Sequence, residues 1–157
     1  MAKTALYLAG GGARGAYQAG VLKAIHHIFK SKTLPFSMIS GVSVGSINAA
    51  VLAENADDFG VAVEKLEALW HDIHCQEIYN ASNYELGKSV ARNLTRFMIK
   101  QRKSGYLLDT APLHAFIQQH INFEKIHQNI ENGLLDTMEV ITNCYETQRT
   151  VSFYQHH

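Results

Sequence analysis

Two glycine clusters, each set between a short apolar run and a helix-like segment, constrain this chain more than any other feature. Gly10-Gly11-Gly12-Ala13-Arg14-Gly15 follows Ala5-Leu6-Tyr7-Leu8-Ala9, and Gly41-Val42-Ser43-Val44-Gly45 follows Phe36-Ser37-Met38-Ile39-Ser40. A short apolar run closed by glycine reads as a buried parallel strand. After the first cluster, Ala19, Leu22, Ile25 and Phe29 recur at helical spacing across residues 16–29, and the stretch Lys30 to Pro35 breaks that helix. After the second, residues 43–54 are mostly small and apolar, the pattern of a buried helix. The order strand–helix–strand–helix predicts an α/β fold with parallel strands.

Further along, Phe59, Val63, Leu66, Leu69, Trp70 and Ile73 give residues 57–74 an amphipathic helical period. A fourth helix is predicted over residues 83–101, and an extended segment over 105–108. Asp109 or Thr110 caps a helix that carries Pro112 in its first turn and runs to about Ile121. Phe123 and Ile126 suggest one short helical turn. Met138–Tyr145 and Thr150–Tyr154 are β-rich, with Glu146-Thr147-Gln148-Arg149 between them, which predicts a hairpin.

The 157 residues suit one domain, here residues 1–157, and the 46% apolar and 18% charged content is that of a globular chain. A formal net charge of zero gives no reason to expect a nucleic-acid partner. Its distribution is uneven, because five Lys or Arg and no Asp or Glu precede Glu54. Cys75 and Cys144 form neither a disulfide framework nor a zinc spacing, and read as free thiols in a reducing compartment. No secretory leader is visible, and the apolar stretch 41–53 is too short to span a bilayer. The expected location is therefore cytoplasmic, with peripheral contact to a membrane. Composition does not set an oligomeric state.

Gly10–Gly15 has the spacing G-x-G-x-x-G. A strand before it and a helix after it suit a dinucleotide phosphate on the helix N-terminus. That use also wants an acid about 20 residues on, to hold the ribose. Lys30, Ser31, Lys32 and Thr33 stand there instead. Gly41–Gly45 has the spacing G-x-S-x-G. A nucleophilic serine at a sharp strand-to-helix turn needs glycine on either side, so that neighbouring elements approach without a Cβ clash. Ser43 then lies at the positive end of the following helix. The plain alternative is that Ser43 only caps that helix. Taken together, the glycine loop can aim backbone N–H groups at an oxyanion formed at Ser43, provided the two strands are neighbours.

The run Gly10-Gly11-Gly12-Ala13-Arg14-Gly15-Ala16-Tyr17-Gln18-Ala19-Gly20-Val21-Leu22, followed by Gly41-Val42-Ser43-Val44-Gly45-Ser46-Ile47-Asn48-Ala49, resembles the patatin-like phospholipase family. The resemblance covers residues 4–55 closely and residues up to Tyr154 more loosely, where Val140–Tyr145 is similar to a later sheet strand. It implies a three-layer fold, a mainly parallel sheet with flanking helices, and a lipid acyl-ester hydrolase working without metal or organic cofactor through a Ser–Asp dyad. Ser43 is the implied nucleophile. Gly10, Gly11 and Gly12, with Arg14 beside them, are the implied oxyanion loop, and Gly15, Gly41 and Gly45 the motif glycines. A lipid or acyl ester is the implied substrate.

The family's base is an Asp followed by Gly. None of the aspartates here, Asp57, Asp58, Asp72, Asp109 and Asp136, is followed by Gly. The expectation is that the C-terminal part of the domain, with its base, lies outside the chain. The histidines (His26, His27, His71, His74, His114, His120, His127, His156 and His157) read as surface or packing residues, and His71, His74 and Cys75 fall short of a metal site.

Lys88, Arg92, Arg96 and Lys100 recur every four residues, opposite Leu86, Val90, Leu94 and Met98. That is the pattern of a basic membrane-surface helix, and equally of a docked helix with a solvated basic side. Two other functions stay open on the sequence. A non-catalytic lipid-binding or scaffold protein would keep the fold without the base. A nucleotide-binding α/β module would use the Gly10–Gly15 loop alone.

Overall fold

The computed structural model describes residues 3–72, 111–144 and 146–157. The chain divides into two compact units, residues 1–71 with 121–157, and residues 72–120. In the second unit the described element is a helix at Ala111–His120, where the rings of Phe116 and His120 lie 4.4 Å apart. The helix expected at 83–101, with Lys88, Arg92, Arg96 and Lys100, and the extended segment at 105–108 lie outside the described residues. So do Asp109, His74 and Cys75.

The first unit is built on a sheet. Strands β1 (Ala5–Leu8), β2 (Met38–Val42), β3 (Thr137–Cys144) and β4 (Arg149–His156) stand in that order across it. β1 pairs with β2 and β2 with β3 in parallel, while β4 returns antiparallel to β3. Helices α1 (Gly15–Phe29) and α2 (Val44–Glu54) follow β1 and β2. Both parallel crossovers step the same way across the sheet. Being right-handed, they lay α1 and α2 on the same face. Leu8, Ile39 and Met138 point to that face and are buried there. Helix α3 (Phe59–Asp72) packs on α1 and α2, with Phe59 edge-on to His26 at 5.3 Å.

The α2 sequence explains its central place. It is small and apolar all round, and Ala49 to Ala53 lie within the core. Its C-terminal carbonyls find a partner on the nine-residue helix Phe123–Glu131, here α4. The buried Asn129 amide donates to Ala53 O (2.8 Å) and Glu54 O (2.9 Å), which meets the need of a helix end for outside donors. Asn122 caps α4 by accepting from Lys125 N at 3.1 Å.

The opposite face of the sheet carries Tyr7, Met38, Ser40, Glu139 and Tyr154, which line an open concavity of about 340 Å³. Ser40 Oγ donates to Glu139 Oε2 at 2.6 Å. That bond and a second from Ser152 hold the Glu139 carboxyl below its usual range. At the end of β3, bonds from Thr147 and the Glu146 amide lower the Cys144 thiol, which is free.

The expected mainly parallel sheet with flanking helices is what forms, and the hairpin is there. Three details differ. β1 was expected to be buried, yet Leu8 alone of its residues is, because Ala5 and Tyr7 point to the face opposite α2. The single turn expected near Phe123 is a full helix, because the Asn122 cap and the apolar Ile126 and Ile130 sustain it. β4 runs past Tyr154 to His156, paired along its length with β3.

Candidate active site

Ser43 is the turn between β2 and α2. Its backbone lies at φ 53°, ψ −125°, a left-handed conformation that non-glycine residues rarely hold. Holding it costs about 1–3 kcal/mol and requires surroundings that over-determine it. Those surroundings are on both sides. A Cβ on Gly41 would lie 2.6 Å from Gly45 C and from Ser46 Cα, so the strand end and the first helical turn touch backbone to backbone. A Cβ on Gly45 would overlap the Leu8 carbonyl oxygen and lie 2.7 Å from its carbonyl carbon, so α2 starts directly against the end of β1. This is a tight strand–turn–helix elbow with Ser43 at its tip. Ser43 makes no side-chain bond to the helix it precedes, so it is not a conventional cap, and its side chain is exposed.

The glycine loop reaches the same point. β1 and β2 are neighbours, and a Cβ on Gly10 would lie 3.2 Å from Ser43 Cβ. Gly12 sits at φ 56° and opens a short 3-10 turn, Gly12–Arg14, that leads into α1. The Arg14 amide donates to Gly11 O at 3.2 Å, and the Arg14 side chain folds back over Gly11. The structure thus brings together Gly10, Gly11, Gly12, Arg14, Gly41, Ser43 and Gly45 at the C-terminal edge of the parallel strands. Gly15, the first residue of α1, lies against the Trp70 ring and Val44.

The sequence reading missed what ties these pieces together. Asn48, one turn beyond Ser43, is wholly buried. Its Nδ2 donates to Gly15 O (3.1 Å) and Gln18 Oε1 (2.9 Å), and its Oδ1 accepts from Trp70 Nε1 (2.9 Å). Gln18 Nε2 donates in turn to Ala9 O at 2.7 Å. In a trans peptide the N–H points opposite to the C=O. Fixing the Ala9 carbonyl toward Gln18 therefore fixes the Gly10 N–H on the other side. One buried amide links the elbow helix, the glycine-loop helix and α3. The only signal in sequence was a polar residue inside the apolar run Ile47–Ala53.

Asp57, Asp58 and Asp136 are employed elsewhere. Asp136 pairs with Lys3 at 2.9 Å and precedes β3, at the opposite end of the strands from Ser43. By strand rise that is about 20 Å away. Asp57 pairs with Lys125 at 3.2 Å and Asp58 accepts from Val61 N at 3.1 Å. Both lie past the far end of α2, about 16 Å along its axis. His127 is held by Glu131 at 3.2 Å and by Gln155, and His26 by Phe59. No His, Cys, Asp and Glu cluster suited to a metal is found among the described residues.

A mainly parallel α/β sheet with helices packed on it, a strained serine between strand and helix and a glycine loop beside it, defines a recognisable class of α/β fold. The chain belongs to the patatin-like phospholipase family, whose model matches residues 6–155. It is 42% identical over 65 residues to a patatin-like phospholipase domain-containing protein of Caenorhabditis elegans, covering 41% of this chain and 4% of that protein. It is 44% identical over 52 residues to lysophospholipase nte1 of Aspergillus terreus, covering 33% of this chain and 3% of that protein. The chain thus spans only a few per cent of the length of the curated relatives it matches. No solved structure gives a significant match. No helix among the described residues is long and apolar enough to cross a membrane.

Proposed function

We propose that the chain is the serine-bearing part of a lipid acyl-ester hydrolase, residues 1–157 forming a portion of one patatin-like domain. The observation that carries this reading is the approach of Gly10 to Ser43 while Ser43 stands at φ 53° on a strand–helix turn. Ser43 Oγ attacks the ester carbonyl carbon as its proton passes to a base. The carbonyl electrons move to oxygen, and the amides of Gly10, Gly11 and Gly12 receive that charge, with Arg14 beside them. Collapse breaks the bond to the leaving oxygen, which takes that proton from the base and departs as the alcohol, and leaves an acyl-Ser43, which water hydrolyses. The base is a carboxylate other than Asp57, Asp58 and Asp136. With an ordinary pKa of about 3.9 an aspartate is a weak base at neutral pH, so the partner sits where burial raises it.

The distance of those aspartates favours a second reading, a lipid-binding or scaffold protein that keeps the fold without turnover. Fluorophosphonate labelling separates the two. Wild-type chain is expected to label at Ser43, located by peptide mass, and Ser43→Ala to lose the label entirely. A folded wild type that takes no label, yet binds lipid vesicles, would replace the hydrolase reading with the scaffold one.

A further inference from the structure

The outward face of α1 is the wrong way round for a helix in water. Tyr17, Val21, Ala24 and Ile28 follow each other at spacings of four, three and four, which stacks them in one narrow arc. That arc points away from the buried Ala19 and Leu22. Tyr17 and Ile28 are 77% and 72% exposed, and Val21 between them 40%. The helix holds a single charged side chain, Lys23, which leans on Glu67 of α3 at 2.5 Å.

The surroundings say what covers the stripe. Arg14 stands at its start, and Lys30 and Lys32 just past its end, all exposed. Asp57 and Asp58 come near Lys32 through the Phe59 N–Lys32 O bond, but Asp57 is engaged by Lys125 and Asp58 by Val61 N. A second copy laid antiparallel on the stripe would set Arg14 against Lys30 and Lys32, cation on cation. An anionic lipid surface meets the same groups with opposite charge and takes the apolar arc into its headgroup boundary. The stripe also starts at the glycine loop, beside Ser43.

We propose that the Tyr17–Val21–Ala24–Ile28 face of α1, rimmed by Arg14, Lys30 and Lys32, is a docking surface for anionic lipid bilayers. It rests on the hydrolase reading only in delivering lipid to Ser43; binding itself needs no chemistry. The test is co-sedimentation of the full chain with phosphatidylcholine vesicles, with and without phosphatidylserine, at low and physiological salt. Wild type and Ser43→Ala are expected to sediment alike, preferring phosphatidylserine, and less at higher salt. The triple change Tyr17→Gln, Val21→Gln, Ile28→Gln should weaken binding about tenfold or more, and Lys30→Gln with Lys32→Gln should remove the lipid preference. Circular dichroism checks folding, and the single changes Tyr17→Gln and Ile28→Gln carry the test if the triple variant does not fold. Equal binding by the stripe variant, no binding by folded wild type, or a dimer that the stripe variant dissolves would each overturn the proposal. Loss of fluorophosphonate labelling with vesicle binding intact would touch only the hydrolase reading.

Discussion

Gly45→Ala is expected to leave little folded protein. The added methyl would overlap the Leu8 carbonyl oxygen and lie 2.9 Å from the Ala9 oxygen, both backbone atoms of β1 and the loop behind it. Neither has a rotamer to give. Relief requires α2 to lift from β1, and α2 is the element packed across β1, β2 and β3. Overpacking a flexible core costs about 1–3 kcal/mol, and a rigid backbone clash stands at or above the top of that range. Against a total stability of about 5–15 kcal/mol for a domain, that is a large share. Gly20→Ala is the matched control. Nothing lies within 4 Å of its Cβ position, and it sits inside α1. There alanine should stabilise by about 0.5–1 kcal/mol through helix propensity. Denaturant titration of the two variants should therefore move in opposite directions. A Gly45→Ala protein as stable as wild type would mean that the elbow is looser than this packing.

Asn48→Leu should be the next most damaging change. Leucine keeps asparagine's branched outline with methyl groups in place of the amide atoms, so it removes the hydrogen bonds and adds some crowding. It removes the partner of the Trp70 N–H and of the Gln18 amide oxygen, both part-buried, and one of the donors to the Gly15 carbonyl, which keeps its helical bond. Each buried group left unpaired costs about 1–3 kcal/mol, so a loss of about 2–3 kcal/mol is expected. Trp70→Phe should cost less, about 1–2 kcal/mol, because it strands only Asn48 Oδ1. The network also predicts where the damage shows locally. Hydrogen exchange of the Gly10–Arg14 segment should quicken in Asn48→Leu beyond the rise that global destabilisation gives the sheet, since Gln18 loses the partner that aims it at Ala9. Uniform acceleration everywhere would reduce Asn48 to a packing residue.

The elements around Ser43 were legible because their causes are local. Glycine at 41 and 45 announces a backbone crossing wherever it occurs between a strand-like and a helix-like run, and three glycines at 10–12 announce a loop. That the two strands are neighbours was left as a condition by the sequence, and the parallel pairing of β1 with β2 meets it. The Asn48 network was not legible, because its members sit at 9, 15, 18, 48 and 70 and meet only after α1, α2 and α3 have packed. The exposure of β1 was hidden for a similar reason. A short apolar tetramer does not say which of its sides a helix will cover. The apolar arc of α1 lay in plain view, but the same period marked the buried side with Ala19 and Leu22, and that side was read first.

The two parallel crossovers differ greatly in length, and this bears on how the chain can vary. Asn48 and Gly15 are 33 residues apart, whereas Ser40 and Glu139, bonded across β2 and β3, are 99 apart. Closing the longer loop costs only about 1 kcal/mol more, and doubling it again would add about 0.6 kcal/mol. The shorter connection is pinned instead. Leu34 N donates to Ala56 O at 3.0 Å and Phe59 N to Lys32 O at 2.7 Å, so the span between α1 and β2 is stitched to the start of α3. Lengthening it would unpick those bonds and shift β2 under Ser43. Insertions and deletions therefore have a thermodynamically cheap home between α3 and α4, and an expensive one between α1 and β2. Descendants of this sequence could remodel the first region freely while the serine and its glycine loop stay in register.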